Sequence, residues 1–106
     1  MAWVYILECS DRSYYVGSTT DLAARIAQHE LGLGAAYTAR RRPVRLVCAM
    51  EFESVFDAFA VEKQVQNWSR AKRQALIDGR LGDLPELARG RSGYMTRRGP
   101  GGPAGG

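Results

Sequence analysis

The chain has 106 residues, with 15 Lys or Arg, 11 Asp or Glu and one His, so its formal charge is +4 and its length predicts one small domain rather than two. Hydrophobic residues make up 45% and charged residues 25%, which are globular proportions that exclude wholesale disorder. The longest apolar runs, residues 2–7 and 46–50, are far shorter than the ~20 residues that span a bilayer, and the first lacks the basic flank of a signal peptide. We therefore expect a cytoplasmic protein that does not associate with membranes.

The excess positive charge lies at the C-terminal end of the sequence. Residues 89–106 contain four arginines and no acid, whereas residues 1–88 contain 11 basic and 11 acidic residues. The same 18 residues include seven glycines and two prolines, so ordering them would cost more conformational entropy than burial could recover. We expect a flexible cationic appendage, which either adds salt-sensitive attraction to phosphates or is a plain solvated terminus.

The first predicted element is a β-hairpin. Residues 2–8 and 14–18 are rich in aromatic and β-branched residues, and residues 10–12 between them have turn chemistry. Antiparallel pairing across a three-residue loop places Leu7 opposite Tyr15. The hairpin then has one face that carries Tyr5, Leu7, Tyr15 and Gly17.

A short amphipathic helix follows the hairpin. Asp21 supplies its N-cap and Gly32 is placed to end it. Its apolar stripe contains two polar residues, Arg25 and His29, where aliphatic residues are usual. These two side chains either flank a functional site or lie at the edge of the stripe with their polar ends in water.

The segment after this helix, residues 31–43, predicts a basic loop. It contains Tyr37, Thr38 and the consecutive arginines Arg40, Arg41 and Arg42. Taken alone, three arginines in a loop are more typical of solvated charge than of a specific function.

The remaining predicted elements are one strand and two helices. A mostly apolar strand is expected at about residues 45–52. Ser54 caps a second helix that runs to about Trp68, and Ser69 caps a third helix that ends near Asp78. The predicted order is β-β-α-β-α-α.

Glu62 lies beside the apolar stripe of the second helix, next to Val61 and three residues before Val65. A carboxylate in this position requires a cation. The cation is either Arg25, in a purely structural ion pair, or a hard divalent ion such as magnesium, which often uses only one or two protein carboxylates.

The two tyrosines of the hairpin face have two interpretations. They are core aromatics whose hydroxyls find partners, or they line a site. Gly17 favours the second interpretation slightly, because a glycine inside a strand permits close backbone approach or a bulge beside Tyr5 and Tyr15. The two cysteines, Cys9 and Cys48, are too few for a thiolate zinc site, and we expect free, partly buried thiols rather than a disulfide.

Several short motifs in order along residues 2–80 resemble the GIY-YIG nuclease superfamily, and in particular its small stand-alone bacterial members. They are Trp3-Val4-Tyr5, Tyr15-Val16-Gly17, Arg25-Ile26-Ala27-Gln28-His29, the segment Tyr37 to Pro43, Glu62-Lys63 and the segment Trp68 to Ile77. Two positions depart from the name motif: Trp3 replaces glycine and Val16 replaces isoleucine. Gln66 replaces a lysine that we expect in the closest relatives.

The resemblance implies an α+β domain at residues 1–82, with a three-stranded antiparallel sheet flanked by helices, and an extension at 83–106 that includes the basic tail. It also implies a single divalent-metal site, for Mg²⁺ or Mn²⁺, that cleaves a phosphodiester. Carried over by position, Tyr5 and Tyr15 line the site, Arg25 contacts the phosphate, Glu62 holds the metal and His29 accompanies them. Gly17 has a structural role at the site. The residues expected to contact nucleic acid are Arg40, Arg41, Arg42, Arg70, Lys72 and Arg73.

The function that this resemblance implies is a metal-dependent DNA endonuclease, in DNA repair or processing. Its partner is DNA of unknown structure, targeting by a partner protein is open, and the chain is expected to be a monomer. The alternative is a non-catalytic nucleic-acid-binding module that keeps the same scaffold and uses the arginine run and the tail for phosphate contact.

Overall fold

A computed structural model of the chain describes residues 1–79 and the short strand at 95–96. It shows an α+β domain in which an antiparallel sheet is flanked by helices, and this confirms the predicted fold class. The elements in chain order are β1 (Ala2–Glu8), β2 (Tyr14–Thr19), α1 (Leu22–Glu30), α2 (Ala36–Ala39), β3 (Arg45–Phe52), α3 (Val55–Gln66), α4 (Arg70–Ile77) and β4 (Met95–Thr96).

The sheet has the strand order β2-β1-β3-β4, so β1 is an inner strand and β2 is an edge strand. Strand β1 pairs antiparallel with β2, with Leu7 opposite Tyr15 and Tyr5 opposite Gly17. This is the predicted register. It holds because a slip of one residue would turn the apolar set of each strand away from its helices.

Two elements correct the sequence-based prediction. The segment predicted as a basic loop contains α2, whose four residues are too few to show helical periodicity. The segment predicted as a flexible tail contains β4, where Met95 and Thr96 pair with Ala49 and Cys48. The flexible-tail prediction is therefore wrong for these two residues, because the edge of β3 offers backbone hydrogen bonds that composition does not reveal. The rest of the tail, and the predicted domain boundary at 82/83, lie outside the described residues.

The two faces of the sheet carry separate clusters of buried residues. Helices α3 and α4 pack on one face and form the larger core, with Trp68 packed against its margin. Helix α1 covers the other face with a smaller cluster around Tyr5 and Leu7. Because side chains alternate along a strand, neighbouring hairpin residues contribute to different clusters: Tyr14 and Val16 face α3, while Tyr15 faces α1.

The two cysteines are free and buried, as part of these clusters. The prediction of free thiols is confirmed, although the burial is complete rather than partial. Burial raises the pKa of Cys48 to about 12 and also raises that of Cys9, so both remain uncharged thiols. Among the described residues, no helix has the length and apolar character needed to cross a membrane.

The N-cap of α3 gives a test of how this helix is held. The Ser54 hydroxyl accepts hydrogen bonds from the backbone N–H groups of Phe56 and Asp57, at 3.1 and 3.4 Å. Replacing Ser54 with Ala removes both and should lower the free energy of unfolding by about 1 kcal/mol. Ser54→Asp is the matched control, because its carboxylate can cap the same groups. Chemical denaturation of the two variants checks this, and equal stabilities would contradict the role of the cap.

Candidate active site

Tyr5 occupies the centre of the α1 side of the sheet, directly below Gly17 of the neighbouring strand. A Cβ atom at Gly17 would lie 2.5 Å from the Tyr5 hydroxyl oxygen and 3.2 Å from the Tyr15 ring. Any side chain at this position would therefore displace the Tyr5 ring. The structure thus gives the physical reason for the glycine: the Tyr5 hydroxyl passes over the backbone of β2.

His29 lies behind Tyr5, fully buried, and its two ring nitrogens have defined partners. Nε2 is 2.8 Å from the Tyr5 hydroxyl, and Nδ1 is 2.7 Å from the Thr38 hydroxyl. The Thr38 hydroxyl donates its one proton to the carbonyl of Ala35, at 3.1 Å. It can therefore only accept from Nδ1–H, so Nε2 is unprotonated and accepts the proton of the Tyr5 hydroxyl.

This hydrogen-bond chain fixes the direction of the Tyr5 hydroxyl. Because Tyr5 donates to His29, its oxygen lone pairs are free to accept from a cation. Burial raises the pKa of Tyr5, the Arg25 guanidinium opposes this rise, and electrostatic repulsion by Tyr15 and Glu62 adds to it. Burial lowers the pKa of His29, and the Arg25 charge lowers it further. Both groups are therefore neutral near pH 7.

Arg25 of α1 faces this pair from the half-exposed side. Its interaction with the Tyr5 hydroxyl raises the pKa of the guanidinium, with a smaller contribution from Tyr15. Its Nη1 also donates to Gln28 at 2.9 Å. The Tyr15 ring completes the cluster, with its centroid 6.4 Å from that of Tyr5 and 5.2 Å from that of His29.

Glu62 comes from the other layer of the fold, because α3 packs on the opposite face of the sheet. Its carboxylate accepts hydrogen bonds from the Ser18 hydroxyl at 2.6 Å and from the Gln66 amide at 3.0 Å. Since β2 is an edge strand, this carboxylate still acts electrostatically on Tyr5. Among the described residues Arg25 and Glu62 do not form an ion pair. The interpretation of Glu62 as the partner of Arg25 in a purely structural ion pair is therefore not supported.

The donor set at Glu62 fits a hard divalent ion. Each carboxylate oxygen accepts one hydrogen bond and keeps further lone-pair capacity. The described residues contain no group of three or more His, Cys, Asp or Glu that could enclose a metal. Mg²⁺ and Mn²⁺ tolerate such a site, because water and phosphate oxygens fill the positions that protein leaves open.

Two of the three consecutive arginines support the fold, and the third is exposed. Arg41 pairs with Asp11 at 3.1 Å, and its guanidinium carbon lies 3.8 Å from the centre of the Tyr37 ring. Arg42 donates to the carbonyls of Ala39 and Glu30, so both side chains support the fold around α2. Arg40 is exposed, and the described part of the chain supplies no hydrogen bond or ion pair to it.

The three cations of α4 lie around the other side of β2. Arg70 is positioned over the Tyr14 ring at 4.4 Å and Lys72 over the Trp68 ring at 4.3 Å. Arg73 donates from Nε and Nη2 to the carbonyl of Trp68, at 3.3 and 2.9 Å. Arg70 and Arg73 therefore place positive charge beside β2, the edge strand that separates Tyr15 from Glu62.

A cleft of about 270 Å³ opens along this edge, and we call it the edge cleft. Of the proposed catalytic groups only Tyr15 lines it, while Gln66, whose amide donates to Glu62, lines it from the α3 layer. The edge cleft is lined by Tyr14, Tyr15, Val16, Tyr37, Gln66 and Arg73.

Sequence reasoning missed the residues that support this cluster. Thr38 was only part of a loop, yet it is fully buried and orients His29. Gly34 approaches the same ring, because a Cβ there would lie 2.5 Å from Nδ1. Ser18 and Gln66 were not recognised as partners of Glu62. The one available signal was the small or hydroxylated character of Gly34 and Thr38 in a segment rich in glycine.

A family profile described as the GIY-YIG catalytic domain matches residues 1–75. The chain therefore belongs to the GIY-YIG family, which is part of a superfamily of nucleases. Its sequence motifs indicated the same family. The Tyr5, Tyr15 and Gly17 positions described above are the name motif of this family in this sequence.

Proteins named UPF0213 are similar to this chain over most of its length. One from Halobacterium salinarum is 45% identical over 77 residues, which are 73% of this chain and 100% of the relative. One from Halalkalibacterium halodurans is 47% identical over 75 residues, 71% of this chain and 80% of the relative. The solution NMR structure of a UPF0213 protein from Bacillus halodurans matches with a TM-score of 0.51 and 44% identity, covering 77% of this chain and 88% of that one.

The tautomer of His29 can be tested directly, because it is the single histidine of the chain. In the wild type, ¹⁵N chemical shifts should show a protonated Nδ1 and an unprotonated Nε2. Thr38→Val removes the acceptor for Nδ1–H and should shift the tautomer equilibrium, whereas Thr38→Ser keeps the hydroxyl and should preserve it. A wild-type spectrum with protonated Nε2 would refute the chain of hydrogen bonds.

The lowered pKa of His29 predicts a loss of stability in mild acid. The unfolded chain takes up a proton at its histidine near pH ~6.5, while the folded protein resists protonation until lower pH. The free energy of unfolding should therefore fall as the pH drops below ~6.5. Urea titrations across this range check the prediction. His29→Gln should have a weaker pH dependence there, and an equal slope in both proteins would contradict it.

Proposed function

We propose that the chain is a divalent-metal-dependent endonuclease that hydrolyses phosphodiester bonds of DNA. The observation that supports this most is the packing of the Tyr5, Tyr15 and His29 rings on one side of the sheet, where Arg25 acts on both tyrosines, while the Glu62 carboxylate reaches the edge strand from the other side. These groups can bind a phosphate, a water and a cation together. The family match agrees with this chemistry.

Arg25 is the group that would bind the phosphate. Its charge is permanent, and its planar donors match two oxygens of one phosphate. As water bonds to phosphorus, negative charge grows on the oxygens that remain, and a fixed guanidinium stabilises that charge more than it stabilises the ground state. The neighbouring hydroxyls of Tyr5 and Tyr15 raise the pKa of Arg25, so its guanidinium stays charged beside them.

Tyr15 is the hydroxyl best placed to orient the attacking water, because it is half-buried and borders the edge cleft. Tyr5 is buried and donates to neutral His29, which can accept that proton. In the balanced reaction, water bonds to phosphorus, the bond to the leaving oxygen breaks, and one proton passes to that oxygen. His29 provides a nearby acceptor in such a proton relay.

Glu62 would hold the divalent ion, with Ser18 and Gln66 orienting its carboxylate. When bound, such an ion neutralises charge on the phosphate and stabilises the leaving oxygen. Gln66 adds no positive charge beside Glu62, so it does not repel a cation there as a lysine would. In this respect glutamine suits the site, although a lysine was expected here.

DNA is proposed as the substrate because Arg40, Arg70, Lys72 and Arg73 place positive charge around the site. They contact phosphates without selecting a sequence, so structure or a partner protein would direct cleavage. The role in repair, the cytoplasmic location and the monomeric state remain predictions.

Glu62→Gln separates catalysis from binding. The change preserves the size of the side chain and removes the charge that holds a divalent ion, so magnesium-dependent nicking should fall at least ~100-fold. Affinity for DNA should change little, because the arginines and lysine remain. Glu53→Gln is the matched control, because it removes the same charge from an exposed glutamate. Nicking, DNA affinity and melting temperature are measured on all three proteins.

The outcomes distinguish the competing functions. Unchanged nicking by folded Glu62→Gln would exclude Glu62 as the metal ligand. DNA binding by the wild type with no nicking in Mg²⁺ or Mn²⁺, on any of a panel of DNA structures, would favour the non-catalytic nucleic-acid-binding module.

A further inference from the structure

The floor of the edge cleft carries an outward-facing backbone N–H group, that of Val16. Gln66 bonds to the carbonyl of Val16 at 3.2 Å, so that carbonyl points away from β1. In an antiparallel strand the N–H and C=O of one residue point to the same side, and the Val16 N–H therefore also faces outward. The bond from Cys9 N to Ser13 O at 2.9 Å fixes the same alternation independently. No described strand covers this side of β2.

The walls of the edge cleft are aromatic on one side and cationic on the other. Tyr37 stacks on Tyr15 at 6.1 Å between ring centroids, and the Arg41 guanidinium carbon lies 3.8 Å from the centre of the Tyr37 ring. Arg73 forms the facing wall, where two of its nitrogens bond to Trp68 and Nη1 has no hydrogen bond within the described residues. Both walls are held by such contacts, so the cleft is formed before any ligand enters.

The lining contains no carboxylate and is rich in donors, which defines the ligand chemistry. A guanidinium, an amide N–H and tyrosine hydroxyls together favour a ligand with anionic oxygens and further acceptors. Aromatic surface beside a cationic group is typical of sites for unpaired nucleotides, where bases contact rings and phosphates contact cations.

We propose that the edge cleft binds one unpaired nucleotide of the substrate strand, adjacent to the phosphodiester that is cut. Arg73 binds its phosphate, and the aromatic wall and the Val16 N–H contact its base. This inference rests on the proposed function, because Tyr15 belongs to both the cleft and the catalytic cluster. The substrate class that follows is DNA with a single-stranded segment at the cleavage point.

Two alternative occupants fit the cleft less well. A base inside a continuous duplex is stacked and paired, and it reaches such a cleft only after leaving the helix. A peptide strand added to β2 needs the carbonyls of the edge, yet the Val16 carbonyl already accepts from Gln66. An unpaired nucleotide does not have to leave a duplex first, and it does not need the Val16 carbonyl as an acceptor.

The proposal is tested by binding in EDTA, so that catalysis does not enter the measurement. The probes are a short labelled oligothymidylate and a duplex of equal length, at one salt concentration. The wild type should bind the oligothymidylate more tightly than the duplex. Arg73→Gln should weaken oligothymidylate binding about tenfold, because a charge-assisted bond to phosphate is lost. Arg12→Gln, which removes the same charge from the exposed hairpin turn, should change it much less.

The amide of Val16 provides a second readout within the cleft. In ¹⁵N-labelled full-length protein, this resonance should shift when oligothymidylate is added, and the shift should be smaller in Arg73→Gln. The glutamine amide can still donate to the Trp68 carbonyl, and an unchanged melting temperature shows that the variant is folded.

Three results would overturn the proposal. They are tighter binding of the duplex, equal weakening by Arg73→Gln and Arg12→Gln, and shifts centred on Arg40 with none at Val16. If nicking of continuous duplex persists together with any of these, the proposed function stands and the cleft assignment alone fails. If the binding results are as expected but no DNA is ever nicked, the cleft assignment stands and the proposed catalysis fails.

Discussion

The candidate site depends on one contact, the passage of the Tyr5 hydroxyl over the backbone of Gly17 to reach His29. It requires the register that sets Tyr5 opposite Gly17, since a one-residue slip would move the hydroxyl to the other face. It also requires that position 17 has no side chain, because a Cβ would lie 2.5 Å from the hydroxyl oxygen. Strand pairing and the choice of glycine are therefore conditions for the same hydrogen bond.

The edge position of β2 explains how two layers of the fold can share one site. In the middle of the sheet, Tyr15 and Glu62 would be separated by a complete layer of backbone. At the edge, α1 brings Arg25 to one side while α3 brings Glu62 to the other, and Gln66 links the carboxylate to the strand itself. The same edge leaves backbone donors open to a ligand. Catalysis and substrate binding are therefore both proposed along the outer edge of β2.

The cationic side chains differ in whether they are bonded within the fold or available to bind a phosphate. Arg41 and Arg42 belong to the most conspicuous basic run, yet their guanidinium groups hold Asp11, Tyr37 and backbone carbonyls around α2. These bonds position Tyr37, which in turn supports Tyr15. A run of arginines in sequence is thus partly a structural feature, while the cations proposed to bind phosphates are Arg25 of α1 and those of α4.

The sequence by itself determined the order of the main elements, the hairpin register, the shared face of Tyr5 and Tyr15 and the helical stripe that carries Arg25 and His29, because alternation in strands and 3.6-residue periodicity in helices are local properties. The place of Glu62 beside an apolar stripe singled it out, and the family motifs implied that these residues share one site. Only the tertiary structure showed α2 and the pairing of Met95 and Thr96, since short elements depend on neighbours that are distant in sequence. It alone decided the tautomer of His29 through Thr38 and Ala35, and the partners of Glu62, because hydrogen bonds between separate segments leave no periodic signal in the chain.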